Sequence, residues 1–188
     1  MDHRIFIAIN LPESVKEKIT SAQKNLRAFP ARWVKKENLH ITLIFLGRFK
    51  DEEVARVCQI AQEVAGKTQP FQIKLDKICY GPPKKIPPRM VWVSGEKSEE
   101  LAKLRDNLEK EIFSPIAQDF SGTQPLSPHI TLARIKQWEW RRIEPDEMPQ
   151  VEQDISLDFE ARSIEVMESH LKREGPEYVI LESCPLKE

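Results

Sequence analysis

The chain has 188 residues, 29 basic against 30 acidic, a net charge of −1 and 40% hydrophobic residues. That length suits one domain or two small lobes and can bury about 70% of its unfolded surface, so folding needs neither disulfides nor a metal. The composition excludes collagen, a coiled-coil rod and a wholly disordered chain, and near-zero charge argues against a long polyanion groove while leaving room for one phosphate.

Residues 3–9 alternate as a strand, with Ile5, Ile7 and Ile9 on one face and Arg4, Phe6 and Ala8 on the other. Pro12 suits a first helical turn, and Val15, Ile19, Ala22, Leu26 and Phe29 make one apolar stripe that Pro30 ends. Leu39 to Leu46 reads as a strand closed by Gly47. A second helix spans Asp51 to Ala65 with Val54, Val57, Cys58, Ile60, Ala61 and Val64 inward, and Phe71, Ile73 and Leu75 alternate in a further strand. The segment from Gly81 to Arg89 holds four prolines and three basic residues and must be an extended loop, whose Lys84, Lys85 and Arg89 could border a cleft. A short strand from Met90 to Val93 precedes a helix capped by Ser98 and carrying Leu101, Leu104, Leu108 and Ile112 inward. Pro128 to Ile135 is a strand, 138–147 holds at most a short helix, and 155–160, 162–168 and 178–183 are strands. Cys58, Cys79 and Cys184 are odd in number and lack CxxC spacing, which predicts reduced thiols. No cleavable leader precedes the first strand and no apolar run nears the ~18 residues of a membrane span, so the expectation is a cytoplasmic protein without membrane association.

The strand–helix–strand order of the first half recurs in the second, which points to an internal duplication and an α+β fold. The strongest signal is the tetrapeptide His40-Ile41-Thr42-Leu43, repeated as His129-Ile130-Thr131-Leu132. With only four histidines in the chain, a chance repeat starting on histidine has odds of about 0.2% at average residue frequencies. Strand alternation puts His40 and Thr42 on one face and sends Ile41, Leu43 and Phe45 to the core; His129 and Thr131 share a face in the same way. A pseudo-two-fold axis between the halves would set the two His/Thr pairs across one cleft. Two imidazoles near pKa ~6.5 can divide the work of acid and base, and threonine hydroxyls can steady anionic oxygens. Arg134 could hold a phosphate by bidentate geometry, but strict alternation turns it away from His129, so a bulge, a twist or a strand end must re-aim it. Zinc is not indicated, because no third ligand is evident and His-x-Thr is not a zinc spacing. His3 and His170 lack the motif and read as surface or structural residues, and Trp138-Glu139-Trp140-Arg141-Arg142 reads as a packed surface segment.

The paired motif resembles the two-histidine (2H) phosphoesterase superfamily, and within it the RNA 2′,3′-cyclic phosphodiesterases, historically the 2′-5′ RNA ligase family. The likeness runs from Arg4-Ile5-Phe6-Ile7-Ala8-Ile9-Asn10-Leu11-Pro12 through Arg32-Trp33-Val34, Glu37-Asn38-Leu39-His40-Ile41-Thr42-Leu43, Phe45-Leu46-Gly47 and Arg89-Met90-Val91-Trp92-Val93. It continues in Pro128-His129-Ile130-Thr131-Leu132-Ala133-Arg134 and in Glu168-Ser169, Gly175-Pro176 and Tyr178. Leu126 departs from the phenylalanine common in the family. The resemblance implies a bilobal α+β domain over 1–188, with two antiparallel sheets lining a central cleft, helices packed outside and pseudo-two-fold halves. It also implies hydrolysis of 2′,3′-cyclic phosphate RNA ends to 2′-phosphate ends without metal or cofactor. His40 would be proton donor and His129 proton acceptor, with Thr42, Thr131 and Arg134 on the phosphate. Ligation of RNA through a 2′-5′ linkage occurs in some relatives.

The implied partner is an RNA 3′ end, recognised at its terminal nucleotide and stacked on an aromatic such as Phe45 or Trp33, by a monomer with no obligate protein partner. The alternatives are a 2H enzyme for another small cyclic nucleotide or a 2′-5′-linked oligonucleotide, a non-catalytic RNA-binding module, and a protein-interaction module built on the 81–89 loop.

Overall fold

The apolar alternation at the start of the chain becomes β1 (Asp2–Asn10), whose residues Ile5 to Ile9 are all buried. Burial on both faces marks an interior strand. The computed structural model describes residues 2–26, 30–113, 128–172 and 175–187. After β1 come α1 (Glu13–Asn25), β2 (Ala31–Trp33), β3 (His40–Lys50), α2 (Asp51–Ala65), β4 (Phe71–Gly81) and β5 (Met90–Ser94). Then follow α3 (Glu99–Phe113), β6 (His129–Ile135), α4 (Gln137–Trp140), β7 (Gln153–Ala161), β8 (Ser163–Lys172) and β9 (Gly175–Pro185).

The strands lie in the order β7-β4-β5-β6-β3-β1-β8-β9, with β2 also paired to β6. The path falls into two antiparallel blocks, β7-β4-β5-β6 and β3-β1-β8-β9, and each draws strands from both halves of the chain: β4 of the first half joins β5 and β6, and β8 and β9 of the second half join β1 and β3. The expected two sheets are joined into one hydrogen-bonded path, but only by the pairing of Ile41 with Ile130. Beyond that point β3 and β6 part, and β2 takes over the β6 edge through Ala31–Ile135, Arg32–Arg134 and Trp33–Ala133.

One face of the sheet is closed by the helices. Val15 and Ile19 of α1, Val57, Ala61 and Val64 of α2, and Leu101, Leu104, Leu108 and Ile112 of α3 share one core with Ile41, Leu43, Ile130 and Leu132. The helical stripes were legible as repeats of three and four residues, and truncating a fully buried leucine such as Leu104 costs about 2–5 kcal/mol. The Ser98 hydroxyl accepts a bond from the Leu101 N–H at 3.1 Å, capping α3 as expected. Gln23 of α1, 2% exposed, donates to the Val34 carbonyl at 3.0 Å and to the Leu132 carbonyl at 3.1 Å, so a helix of the first half braces a strand of the second.

Three expectations need correction. β3 does not stop at Gly47: it runs to Lys50, and Gly47 (φ 97°) sits in a bulge where Ile5 faces Gly47 and Phe6 faces Phe45, leaving Leu46 unpaired. β2 was not anticipated, because three residues give no readable alternation. Phe45 does not enter the core; it is 74% exposed, for a reason that lies in the site. Phe29 and Leu126 lie outside the described residues.

Candidate active site

Ile41 and Ile130, at 1% and 0% exposure, face each other across the centre of the sheet and point into the core. In an antiparallel register through that pair, position 40 lies beside 131 and 42 beside 129, all on the opposite face. The sequence repeat therefore becomes a two-fold arrangement of His40, Thr42, His129 and Thr131. All four line one cavity of about 490 Å³, within the range of small-molecule sites. Its wall also includes Arg32, Trp33, Phe45, Arg134 and Tyr178.

Two matching bulges complete the wall. Against β5, Val91 faces Ala133 but Trp92 faces Thr131, so Leu132 is an extra residue in β6. Against β1, Ile7 faces Ile44 but Ala8 faces Thr42, so Leu43 is extra in β3. Each bulge buries two consecutive residues and shifts the alternation by one. Arg134 is thereby re-aimed to the histidine face, which resolves its parity problem, and Phe45 is turned from the core to the cleft at the equivalent place on the other strand.

The two histidines are held differently. The Nδ1–H of His40 donates to the Asn38 carbonyl at 2.7 Å, and Nε2 lies 2.9 Å from the Thr42 hydroxyl. A carbonyl can only accept, so the proton sits on Nδ1 and the Nε2 of the neutral ring accepts a hydrogen bond from the Thr42 hydroxyl. Phe6 and Tyr178 flank the ring, at 5.2 Å each between centroids. Burial pushes the His40 pKa below the ordinary histidine value; the Asn38 bond opposes this, while the positive charges of Lys16, His129 and Arg134 add to it. His129 instead stacks on Trp92, with centroids 4.0 Å apart and planes 26° from parallel.

The sequence reading gave no site role to Trp92, Asn38 or Tyr178. Their signal lies in register, which becomes visible only once strands are paired. Asn38 also donates from Nδ2 to the Pro176 carbonyl at 2.8 Å, tying the segment before β3 to the β8–β9 hairpin that supplies Tyr178.

Other candidates fall elsewhere. Nδ1 of His3 lies 2.8 Å from Glu168 and Nε2 lies 2.6 Å from Asp51, and Glu168 also reaches His170 at 3.2 Å; this cluster fastens β1, α2 and β8 to one another. The loop basics Lys84, Lys85 and Arg89 do not line the cavity. Trp140 is buried against Tyr80, while Trp138 is exposed with the Arg142 guanidinium 3.7 Å above its ring. Among the described residues no cluster of three or more His, Cys, Asp or Glu could hold a metal, and no helix is long and apolar enough to cross a membrane.

A cleft with paired histidines and threonines beside an arginine is the arrangement of a phosphoesterase. Residues 9–92 match the family described as LigT-like phosphoesterase. The chain is 30% identical over 187 residues to an RNA 2′,3′-cyclic phosphodiesterase of Thermotoga maritima, covering 96% of this chain and 94% of that one. It is 30% identical over 190 residues to one of Thermus thermophilus, covering 98% and 90%. The chain belongs to the RNA 2′,3′-cyclic phosphodiesterase family. Among solved structures, TT0787 of Thermus thermophilus superposes with a TM-score of 0.83 at 29% identity, covering 98% of each chain. Escherichia coli LigT complexed with 3′-AMP shares the fold, with a TM-score of 0.76 at 23% identity and full coverage of both chains.

Proposed function

We propose that this phosphodiesterase opens the 2′,3′-cyclic phosphate at an RNA 3′ end to leave a 2′-phosphate. The observation that carries the reading is the pair of His/Thr dyads on one face, on either side of the Ile41–Ile130 pairing. In the proposed step water attacks phosphorus and gives a proton to His129, while the bond to the 3′-oxygen breaks and that oxygen takes a proton from His40. One P–O bond forms, one breaks, and the two rings exchange protonation states. Thr42, Thr131 and Arg134 hold the non-bridging oxygens as charge builds on them. Phe45 and Trp33 offer faces to the terminal base.

A proton donor must begin protonated, and His40 by itself is biased toward neutrality by burial and by its cationic neighbours. The cyclic phosphate is an anion. Bound beside His40 it offsets those positive charges, and the low dielectric that disfavoured the lone imidazolium strengthens its attraction to the phosphate. Substrate thus recruits the proton that its own leaving oxygen needs.

The test is a short RNA ending in 2′,3′-cyclic phosphate, incubated with EDTA, with the product end identified. Conversion to a 2′-phosphate is expected, with losses of about 10²–10⁴-fold in both His40→Ala and His129→Ala. A 3′-phosphate product would overturn the leaving group assigned to His40, and full activity in either variant would remove that histidine from the chemistry.

A further inference from the structure

The β2–β6 pairing sets Arg32 directly opposite Arg134. Directly opposed residues share a face with Cβ atoms about 5 Å apart, and like charges so placed repel. Both arginines line the cavity, and among the described residues neither has a carboxylate partner; Arg134 Nη1 lies 4.0 Å from the Met90 sulfur. Of the lysines that line the cavity, Lys172 is paired with Glu177. An uncompensated guanidinium pair in a pocket wall is stabilised when anions lie against it. Arg134 follows Thr131 on the histidine face and is assigned to the reacting phosphate. Arg32 stands one strand further out, on β2, and has no role in that step.

We infer that Arg32 binds the phosphodiester that joins the terminal nucleotide to the one before it, so that the site selects an oligonucleotide end over a free nucleoside 2′,3′-cyclic phosphate. The inference rests on the proposed reaction and extends it from the reacting group to the chain behind it. Trp33 is the next residue on β2 and also lines the cavity, so the strand that carries the second phosphate contact also carries an aromatic side chain to the same pocket. A single added ion contact agrees with the near-neutral chain: recognition extends by one linkage and needs no broad basic face.

The experiment is a two-by-two cycle. Wild type and Arg32→Gln are each given a dinucleotide ending in 2′,3′-cyclic phosphate, with the internal linkage either a phosphodiester or an uncharged methylphosphonate. The loss in kcat/KM caused by Arg32→Gln should be roughly 10- to 100-fold greater on the charged linkage than on the neutral one. The log–log salt dependence of the charged dinucleotide should flatten by about 0.7 in the variant. Equal losses on both linkages would overturn the inference and put Arg32 on the reacting phosphate or in the fold, and so would no loss on either. If wild type turned over neither substrate, the proposed reaction would fall. The same cycle run as equilibrium binding of dinucleotide 3′-phosphates would still decide the role of Arg32, through the presence or absence of the tenfold coupling.

Discussion

Gly81→Ala is a one-carbon test of how His129 is held. Gly81 on β4 and His129 on β6 lie on the two strands that flank β5, and the Trp92 indole rises between them. A Cβ at position 81 would meet three ring atoms of Trp92 at 2.2, 2.5 and 2.6 Å. Ordinary contact begins at 3.4 Å, so the indole must retreat by about 1.2 Å from the closest approach of 2.2 Å. The ring is rigid, and its retreat is toward the imidazole stacked 4.0 Å away. Overpacking of this kind costs about 1–3 kcal/mol of stability, within what a domain of this size tolerates. A 1 Å misplacement of a reacting group costs about 10²-fold in rate. The expected result is therefore a folded variant with kcat lowered by about two orders of magnitude on a cyclic-phosphate RNA end. Thermal unfolding is measured alongside to establish the folded fraction. A folded Gly81→Ala enzyme within twofold of wild-type kcat would refute the claim that Trp92 sets the position of His129.

Three further outcomes are expected. Thr42→Val removes the hydroxyl 2.9 Å from His40 Nε2 and should lower kcat/KM by about 10-fold or more, while Thr42→Ser keeps it and should recover most of the rate. NMR titration of His40 in the free enzyme should give a pKa below the ordinary 6.5, and Lys16→Met, which removes a neighbouring positive charge, should move it upward; no movement would remove Lys16 from the electrostatics of the site. The bonds to Asp51 and Glu168 raise the His3 pKa, so its contribution to stability is complete below the unfolded value of about 6.5 and is lost as pH rises through the folded one. The difference in melting temperature between wild type and His3→Gln should accordingly shrink on going from acid to alkaline buffer, and a difference that grew would reverse that reading.

Much of this architecture could be read before any strand was paired. The helical stripes of α2 and α3 are simple three- and four-residue repeats, and α2 begins and ends at the residues expected. The duplication was visible because four residues repeat around a rare histidine. The register between the halves was not legible, since it depends on which edge of β6 meets β3, a contact made by residues far apart in the chain. The bulges at Leu43 and Leu132 were equally hidden. In sequence each is one more apolar residue in an apolar run, and strict alternation misplaces everything after it. That is why Phe45 was sent to the core and why Arg134 looked mis-aimed. The partners of the histidines fall in the same class: Asn38 acts through its backbone carbonyl, which any residue owns, and Trp92 through a stack that only the pairing of β5 with β6 creates.

The equivalent bulges carry a consequence for the handedness of the reaction. A backbone repeated about a two-fold axis has no preferred direction, and a phosphate seated on the axis would meet the same imidazole and the same hydroxyl from either side. The different settings of the two imidazoles break this degeneracy, and the first side chain released into the cleft after each bulge adds to the break: a benzyl ring on one strand, a guanidinium on the other. A nucleotide is itself polar, with a flat base at one end and anionic oxygens at the other, so it can lie in the frame only one way round. In the proposed reaction the labels of acid and base, which the two identical tetrapeptides leave interchangeable, would follow from how Phe45 and Arg134 seat the substrate, residues that move no proton.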